Sequence, residues 1–593
     1  VIRSTGRLQE SSIYFNLPSA FAASTSIAAS IVAIATCCFE STSASPLVNK
    51  INKNNITNKA ETNKAETNKI ETNKIETNKI ELAPKSKQEP KPPSEALIPV
   101  KQIVVVGSSI LTKAEIEQIT NPYLKQSLTF NQLREIADKI TQIYQERNYI
   151  TSRAIIESQE IKDGIVTIKV LEGTLERIDI KRAGNVNGRL NDDYVRSRAE
   201  IAATKPLNFT RLEEELQLLR SDLLLSDIRA NLTAGTNPDQ STLQITFTEA
   251  KTFNTRLFTD NYGNVSSGIY RAGAIVQEAN LTGIGDLATL SYTRSGSSNN
   301  YGLGYQYPLN PMGGTLNFNA AIGDSRVTQP EFASLNIATD SQVYELNYRQ
   351  PVVRSPREEL ALGIGISFEN SASSFDGQSF NFQNQSFDDG RSQARVLRLT
   401  QEYVNRDVSG AFAFRSVFSG GLNLLGATIR NDGSPDGRFL YWTGQALRVQ
   451  RLGNDRDTLA FFRLNMQLTG DRLLSLNRFS VGGPQSVRGY RQNQNTGDSG
   501  VQATVEVQLP VLRDEDGLAI VKLLPFIEAG SVWNNRTTNP SPQTLFSVGL
   551  GAQYQPFRNL TVRLDFGIPL VNANNSGTNL QDSGLYFSVN GNF

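Results

Sequence analysis

The chain has 593 residues, a net charge of +1 and 20% charged residues. That length exceeds one ordinary domain, and the near-neutral balance gives no reason to expect nucleic acid as a partner. There is no histidine, which removes Ser-His-Asp and Cys-His catalysis and most zinc sites. The only cysteines, Cys37 and Cys38, are adjacent and make neither a disulfide framework nor a CxxC pair.

Arg3 and Arg7 precede a run of apolar and small residues ending in SIAASIVAIATCCF, residues 26–39. Its densest part, Ile27 to Phe39, is too short for a spanning helix, and STSAS at 41–45 offers small residues for cleavage. Residues 1–45 are therefore expected to be a secretory signal, with a membrane anchor or transit peptide as alternatives. Residues 58–81 repeat a five-residue unit, NKAET then NKIET. On a helix each step turns about 140°, so Ile70, Ile75 and Ile80 scatter round the axis; on a strand an odd period switches faces. Neither geometry makes a buried stripe. The proline-rich APKSKQEPKPPSE follows, and residues 46–97 are expected to form a disordered tether.

Two α+β units come next, at 98–173 and 174–252. In the first, VKQIVVV (100–106) reads as a strand, and Thr112/Glu115 and Thr129/Gln132 have capping-box spacing before two helices. The second helix gathers Leu133, Ile136, Ala137, Ile140, Ile143 and Tyr144 on one face. Two strands are expected to meet at a hairpin turn, Asp163-Gly164, giving the order β-α-α-β-β. The second unit opens with the strand LERIDIKRAG (175–184). Its helix TRLEEELQLLRSD has Thr210 and Glu213 at capping-box spacing, with Leu212, Leu216, Leu219 and Leu223 on one side. It ends with strands RANLTAG and STLQITFTE about a turn at Asn237-Pro238-Asp239.

From Phe253 onward no helical period persists. In VQATVEVQLP (501–510), Val501, Ala503, Val505, Val507 and Leu509 oppose Gln502, Thr504, Glu506 and Gln508. In NLTVRLDFGI (559–568), Leu560, Val562, Leu564, Phe566 and Ile568 oppose Thr561, Arg563 and Asp565. The last strand, LYFSVNGNF, sets Leu585, Phe587, Val589 and the terminal Phe593 against Tyr586, Ser588, Asn590 and Asn592. Strands of about ten residues whose polar face stays charged at mid-length fit a tilted bilayer crossing around a wet lumen. Residues 253–593 hold about sixteen such strands, and with no water in the bilayer core the sheet must close. The fold expected is a membrane all-β barrel of about sixteen antiparallel strands preceded by two α+β domains.

Particular stretches carry a family resemblance. LFTDNYGNVSSGIYRAGAIVQEANLTGIGDLATLSYT (257–293) resembles the first barrel strands of the two-partner secretion transporters, the hemolysin secretion/activation proteins of the outer-membrane POTRA-barrel superfamily. IKDGIVTIKVLEG and RANLTAGTNPDQSTLQITFTE are similar to the closing hairpins of that family's two POTRA domains. FSVGGPQSVRGY (479–490) looks like its signature loop, and LPFIEAGSVW like the strand motif that follows.

The resemblance implies that the loop at 471–500 folds back into the lumen between the eleventh and twelfth strands, its tip arginine pairing with an acid on the wall. Gly482, Gly483 and Gly489 allow a tight hairpin, and Val487, Arg488, Gly489 and Tyr490 form the tip. Arg488 offers a planar fork suited to a carboxylate. Phe526, Glu528 and Gly530 share one strand face, so Glu528 is the expected partner and Glu506 the rival. The family usually has aspartate at the Glu528 position; the extra methylene is expected to raise the tip or loosen the pair. In a wet lumen the pair should contribute only about 0–1 kcal/mol, its role being to place the loop. Some members hold an N-terminal plug helix in the pore, but the repeat at 58–81 cannot form one.

The function implied is export of an unfolded, adhesin- or hemolysin-like β-helical partner protein, caught by periplasmic POTRA domains and threaded through a monomeric, lipid-embedded barrel in a Gram-negative-type outer membrane. No GxxxxGK[ST] motif occurs, and neither a cofactor, a metal site nor an enzymatic activity is expected. The alternatives are an outer-membrane protein insertase of the same superfamily and, from another class, a passive porin. Two POTRA units and the tether favour secretion.

Overall fold

The computed structural model describes residues 13–14, 97–184, 188–382, 389–573 and 577–593. The signal, the tether and the plug-helix reading lie outside these residues, apart from Ile13–Tyr14, which pair antiparallel with Leu232 and Asn231.

In the first unit, Gln102–Val106 lies parallel to Ile165–Leu171, which pairs antiparallel with Arg153–Ile155. The helices Lys113–Thr120 and Phe130–Glu146 both start with complete capping boxes, at Thr112/Glu115 and Thr129/Gln132. The longer helix buries Leu133, Ile136, Ala137, Ile140 and Tyr144 against Val166, Ile168 and Val170. Two sequence expectations change. The strand expected at 100–106 breaks at Lys101, and Val100 belongs to a separate strand, Ile98–Val100, which pairs with Gln126–Leu128. Asp163-Gly164 is not a two-residue hairpin: the ladder ends at Ile155↔Lys169, and residues 156–164 leave it. Both turn residues have positive φ, and the Gly164 carbonyl accepts from Lys101 N at 2.7 Å. The turn delivers the chain beside a parallel strand instead.

The second unit packs helices Asp192–Glu200 and Phe209–Arg220 on a sheet of Thr174–Arg182, Gln240–Glu249 and Leu225–Ala234. The helix at 192–200 was not legible in the sequence. The second helix starts two residues earlier than its spacing suggests: the N-cap is Asn208, which accepts from the Arg211 N–H, and not Thr210. Leu212, Leu216 and Leu219 are buried, and Leu223 lies beyond the helix end.

Sixteen antiparallel strands then close a barrel, from Phe253–Asp260 to Leu585–Asn592. First and last strands pair from Arg256↔Asn592 to Asp260↔Ser588. Phe593 extends this seam, exchanging backbone bonds of 2.8 and 2.9 Å with Thr255. Several strands exceed ten residues: Ala338–Arg354, Glu358–Phe375 and Arg391–Asp407 run to 17 or 18. Among the described residues no helix is long and apolar enough to cross a membrane; the crossing elements are the strands. Alternation divides their side chains. Leu290, Leu303, Phe318, Leu464, Leu564 and Phe566 point outward and exposed, the surface a hydrocarbon layer would cover.

The lumen face is charged and paired. Register places Asp260 against Arg271 (2.8 Å) and Arg398 between Glu345 (2.8 Å) and Glu369 (2.6 Å). Arg349 bridges Glu359 and Glu402, and Arg415 also reaches Glu402. The second α+β unit is fixed beneath this wall by the turn between the second and third barrel strands. Asn191 N donates to Gly283 O at 2.8 Å, Asn280 Nδ2 reaches Glu249, and Arg189 pairs with Glu278.

Candidate functional site in the barrel lumen

Residues 470–498 join the eleventh strand, Leu459–Thr469, to the twelfth, Ser499–Arg513. They form a compact inward loop. Phe479–Val481 pairs with Asn495–Gly497, a short ribbon that carries the tip, residues 482–494. Gly482, Gly483 and Gly489 all have φ near +100°, which only glycine adopts without strain.

The tip meets the wall in two layers. The apolar layer is Val481, Val487 and Tyr490, packed on Val532 and Leu545 and fully buried. Gly530 makes room for it: a Cβ there would lie 2.9 Å from Val481 Cγ1 and 3.0 Å from Val487 Cγ2.

The polar layer centres on Arg488, which is 3% exposed. Its Nε and Nη2 donate to Glu528 Oε1 at 3.0 and 2.7 Å. Its Nη1 donates to Glu506 Oε2 at 2.9 Å and Asp565 Oδ1 at 2.8 Å, and its backbone N–H reaches Glu528 Oε2 at 2.6 Å. The guanidinium stacks 3.4 Å from the Phe526 ring centroid, a cation–π contact that a planar cation makes well. Arg563 supports the same acids, bonding Glu506 at 2.7 Å and Asp565 at 2.7 and 2.8 Å. Two arginines thus face three carboxylates. Each acid comes from a different strand: Glu506 from the twelfth, Glu528 from the thirteenth (Ala519–Trp533) and Asp565 from the fifteenth (Leu560–Pro569).

Two hydroxyls hold the tip backbone. Tyr586 accepts from Gly489 N at 2.8 Å and donates to Tyr490 O at 2.6 Å. The Tyr490 hydroxyl lies 2.9 Å from the carbonyls of both Phe546 and Val571, and accepts from Val571 N.

The structure revises the sequence expectations here. Glu528 and Glu506 are not rivals, since Arg488 binds both, and Asp565 completes the set. The extra methylene of Glu528 loosens nothing: its two oxygens take three N–H groups of one residue. Nor is this a solvated pair. Removing one partner of a buried ion pair costs about 3–5 kcal/mol, well above the surface value. Asp565, Arg563 and Tyr586 were visible as polar-face residues but not as partners of the loop. A second anchor was missed altogether. Asn477 Nδ2 donates to Glu369 on the opposite wall at 2.7 Å, while Leu473 and Leu474 bury against Ala394, Val396, Phe439 and Tyr441. The loop is tied at its base to the seventh, eighth and tenth strands and at its tip to the twelfth, thirteenth and fifteenth. Phe593 stands apart, at the barrel seam.

A closed sixteen-strand barrel, periplasmic α+β units at its base and an arginine-tipped loop inside define the class: an outer-membrane POTRA-barrel transporter. The family model described as Haemolysin secretion/activation protein ShlB/FhaC/HecB matches residues 239–554, and that of the ShlB-type POTRA domain matches residues 98–173. The chain belongs to the ShlB/FhaC/HecB family of two-partner secretion transporters, and its place is the outer membrane, with POTRA domains in the periplasm.

Among curated relatives it is similar to the outer membrane transporter CdiB of Escherichia coli strain 536, 22% identical over 471 residues and covering 76% of each chain. It is also similar to the heme/hemopexin transporter protein HuxB of Haemophilus influenzae, 24% identical over 436 residues, 70% of this chain and 73% of the relative. Among solved structures, CdiB from Escherichia coli shares the fold with a TM-score of 0.65 at 19% identity, covering 86% of this chain and 93% of that one.

Proposed function

We propose that this transporter takes an unfolded partner exoprotein on its two POTRA units, at 98–173 and 174–252, and passes it through the lumen as an extended segment. The partner then folds at the cell surface. Exposed sheet edges on the units can accept an extended chain through main-chain hydrogen bonds. Folding outside supplies the outward bias. The barrel acts as a single closed chain in lipid, and its residues perform no covalent chemistry.

The observation that carries this reading is the double tether of the 470–498 loop across the lumen, at Glu369 and at the Arg488 cluster. A passive pore needs no loop held by three carboxylates. A transporter that must seal when idle and open for a polypeptide does.

The test is quantitative proteomics of a deletion strain, comparing medium, periplasm and outer membrane. Loss of one large exoprotein from the medium, with other barrels unchanged, supports a dedicated transporter. A joint fall of many barrel proteins favours an insertase, and no change reopens the porin class.

A further inference from the structure

The lumen wall is not electrically balanced. Every carboxylate that strand alternation turns inward sits in an ion pair with an arginine, including the three round Arg488. Inward-facing cations on the strands are left over. Arg256, Arg406, Arg451, Arg463 and Lys522 make no ion pair among the described residues. Arg256 donates only to the Asn590 amide and stacks near Phe258. Its Nε, and that of Arg451, are buried without an acceptor.

These cations share one level of the barrel. The first strand rises from the second POTRA unit, so Arg256, three residues past its start, lies in the periplasmic half. Arg406 is next to the last residue of the eighth strand, and Arg451 ends the tenth strand, Leu440–Arg451. Arg463 is four residues into the eleventh strand and Lys522 three into the thirteenth, both rising from the periplasmic side. Arg406, Arg451 and Arg463 flank an apolar strip of Ala411, Leu447, Val449 and Phe461. Asp455 and Asp457, in the turn before the eleventh strand, pair with Arg513 and are the acids nearest Lys522 without pairing with it.

We propose that this collar is a binding surface for acidic stretches of an extended polypeptide, placed where a client leaves the POTRA units and enters the barrel. Unpaired cations of one sign lining a cleft focus field lines and raise the local concentration of a negative ligand. The adjoining apolar strip suits the other face of an alternating chain. The inference rests on the transport reading and adds the chemistry of the segment received first: acidic, with alternating apolar residues. The near-zero net charge of the whole chain conceals this local excess.

The test uses the full chain purified in detergent, with fluorescent ten-residue peptides of glutamate or of lysine as probes and fluorescence anisotropy at low salt as readout. The glutamate peptide is expected to bind at least about tenfold more tightly than the lysine peptide, and addition of salt should weaken it. The triple variant Arg406→Gln, Arg451→Gln, Arg463→Gln should lose at least about tenfold in that affinity. Its heat-modifiable gel mobility reports that the barrel is still folded. Should the triple variant misfold, Arg463→Gln alone is measured and must weaken binding by at least about twofold. Arg294→Gln with Arg326→Gln, on the outward face, should leave binding unchanged. Equal binding of the two peptides, or full affinity in the variants, overturns the collar. The deletion-strain proteome is read independently, so failure of the collar and failure of the transport reading are told apart.

Discussion

Gly489 at the loop tip and Gly567 on the fifteenth strand meet backbone to backbone: a Cβ on Gly567 would lie 2.5 Å from Gly489 N and 2.6 Å from the Arg488 carbonyl carbon. That approach lets the Arg488 guanidinium reach Asp565, two residues along the same strand. Gly567→Val should therefore push the tip off the wall while leaving the barrel ladder intact. The expected outcome is normal heat-modifiable mobility with faster protease cleavage within 482–494. Undiminished protection of the loop would mean the close approach is not what seats it.

Arg488→Ala leaves Glu506, Glu528 and Asp565 with only Arg563 between them, and the loss should be about 3–5 kcal/mol, read as a lowered urea midpoint for barrel unfolding. Arg488→Lys should recover a minor part, since an ammonium cannot stack flat on Phe526 and bond three acids at once. Arg563 still holds Glu506 and Asp565, so Glu528 is the acid left bare, and adding Glu528→Gln in the Ala background should restore part of the stability by removing that unpaired buried charge. If this double variant is no more stable than Arg488→Ala, the cluster's electrostatics are not what breaks.

The barrel was legible because each strand has a lipid face and a water face, and that contrast writes a period of two into the sequence. Of the loop's partners, Glu528 and Glu506 were named through the family resemblance, but Asp565 was not, because it joins them only after the intervening strands have taken their register. Alternation says that Asp565 faces inward; it does not say at what height. The helix Asp192–Glu200 escaped for a different reason. It buries Val195 and Ala199 but also Arg198, whose guanidinium stacks on Tyr194, so no apolar stripe marks it. Its one signal was Asn191 ahead of two first-turn aspartates. Asp163-Gly164 misled because a positive-φ pair serves any tight reversal, and only pairing beyond it makes a hairpin.

In the first POTRA unit, the Glu115 carboxyl is held down at about 2, chiefly by its hydrogen bond to Arg147 and then by the Thr112 capping bonds. A depressed folded value means the group stabilises the fold at neutral pH. That contribution fades as pH falls from the ordinary carboxylate range toward about 2. Hydrogen exchange of the helix Lys113–Thr120 in the full chain should accelerate over that window. Glu115→Gln should exchange faster at neutral pH and lose most of the pH response. An identical acid profile in the variant would assign the transition to another group.

The second α+β unit is held to the barrel by a close contact. The ring of Tyr194 lies against Gly285 in the turn below the second and third strands, where a Cβ would come within 2.2 Å of Tyr194 Cε2. Gly285 also has φ +86°, so any side chain there meets both strain and a clash. The neighbouring bond from Asn191 N to Gly283 O depends on the same approach. Gly285→Val should free the 189–200 segment from the barrel floor, read as faster hydrogen exchange there, with barrel mobility on gels unchanged. Secretion should fall with it, because a loosened unit no longer delivers an extended chain to a fixed point on the lumen mouth. Fast exchange with full secretion would show instead that the unit can swing freely and still hand over its client.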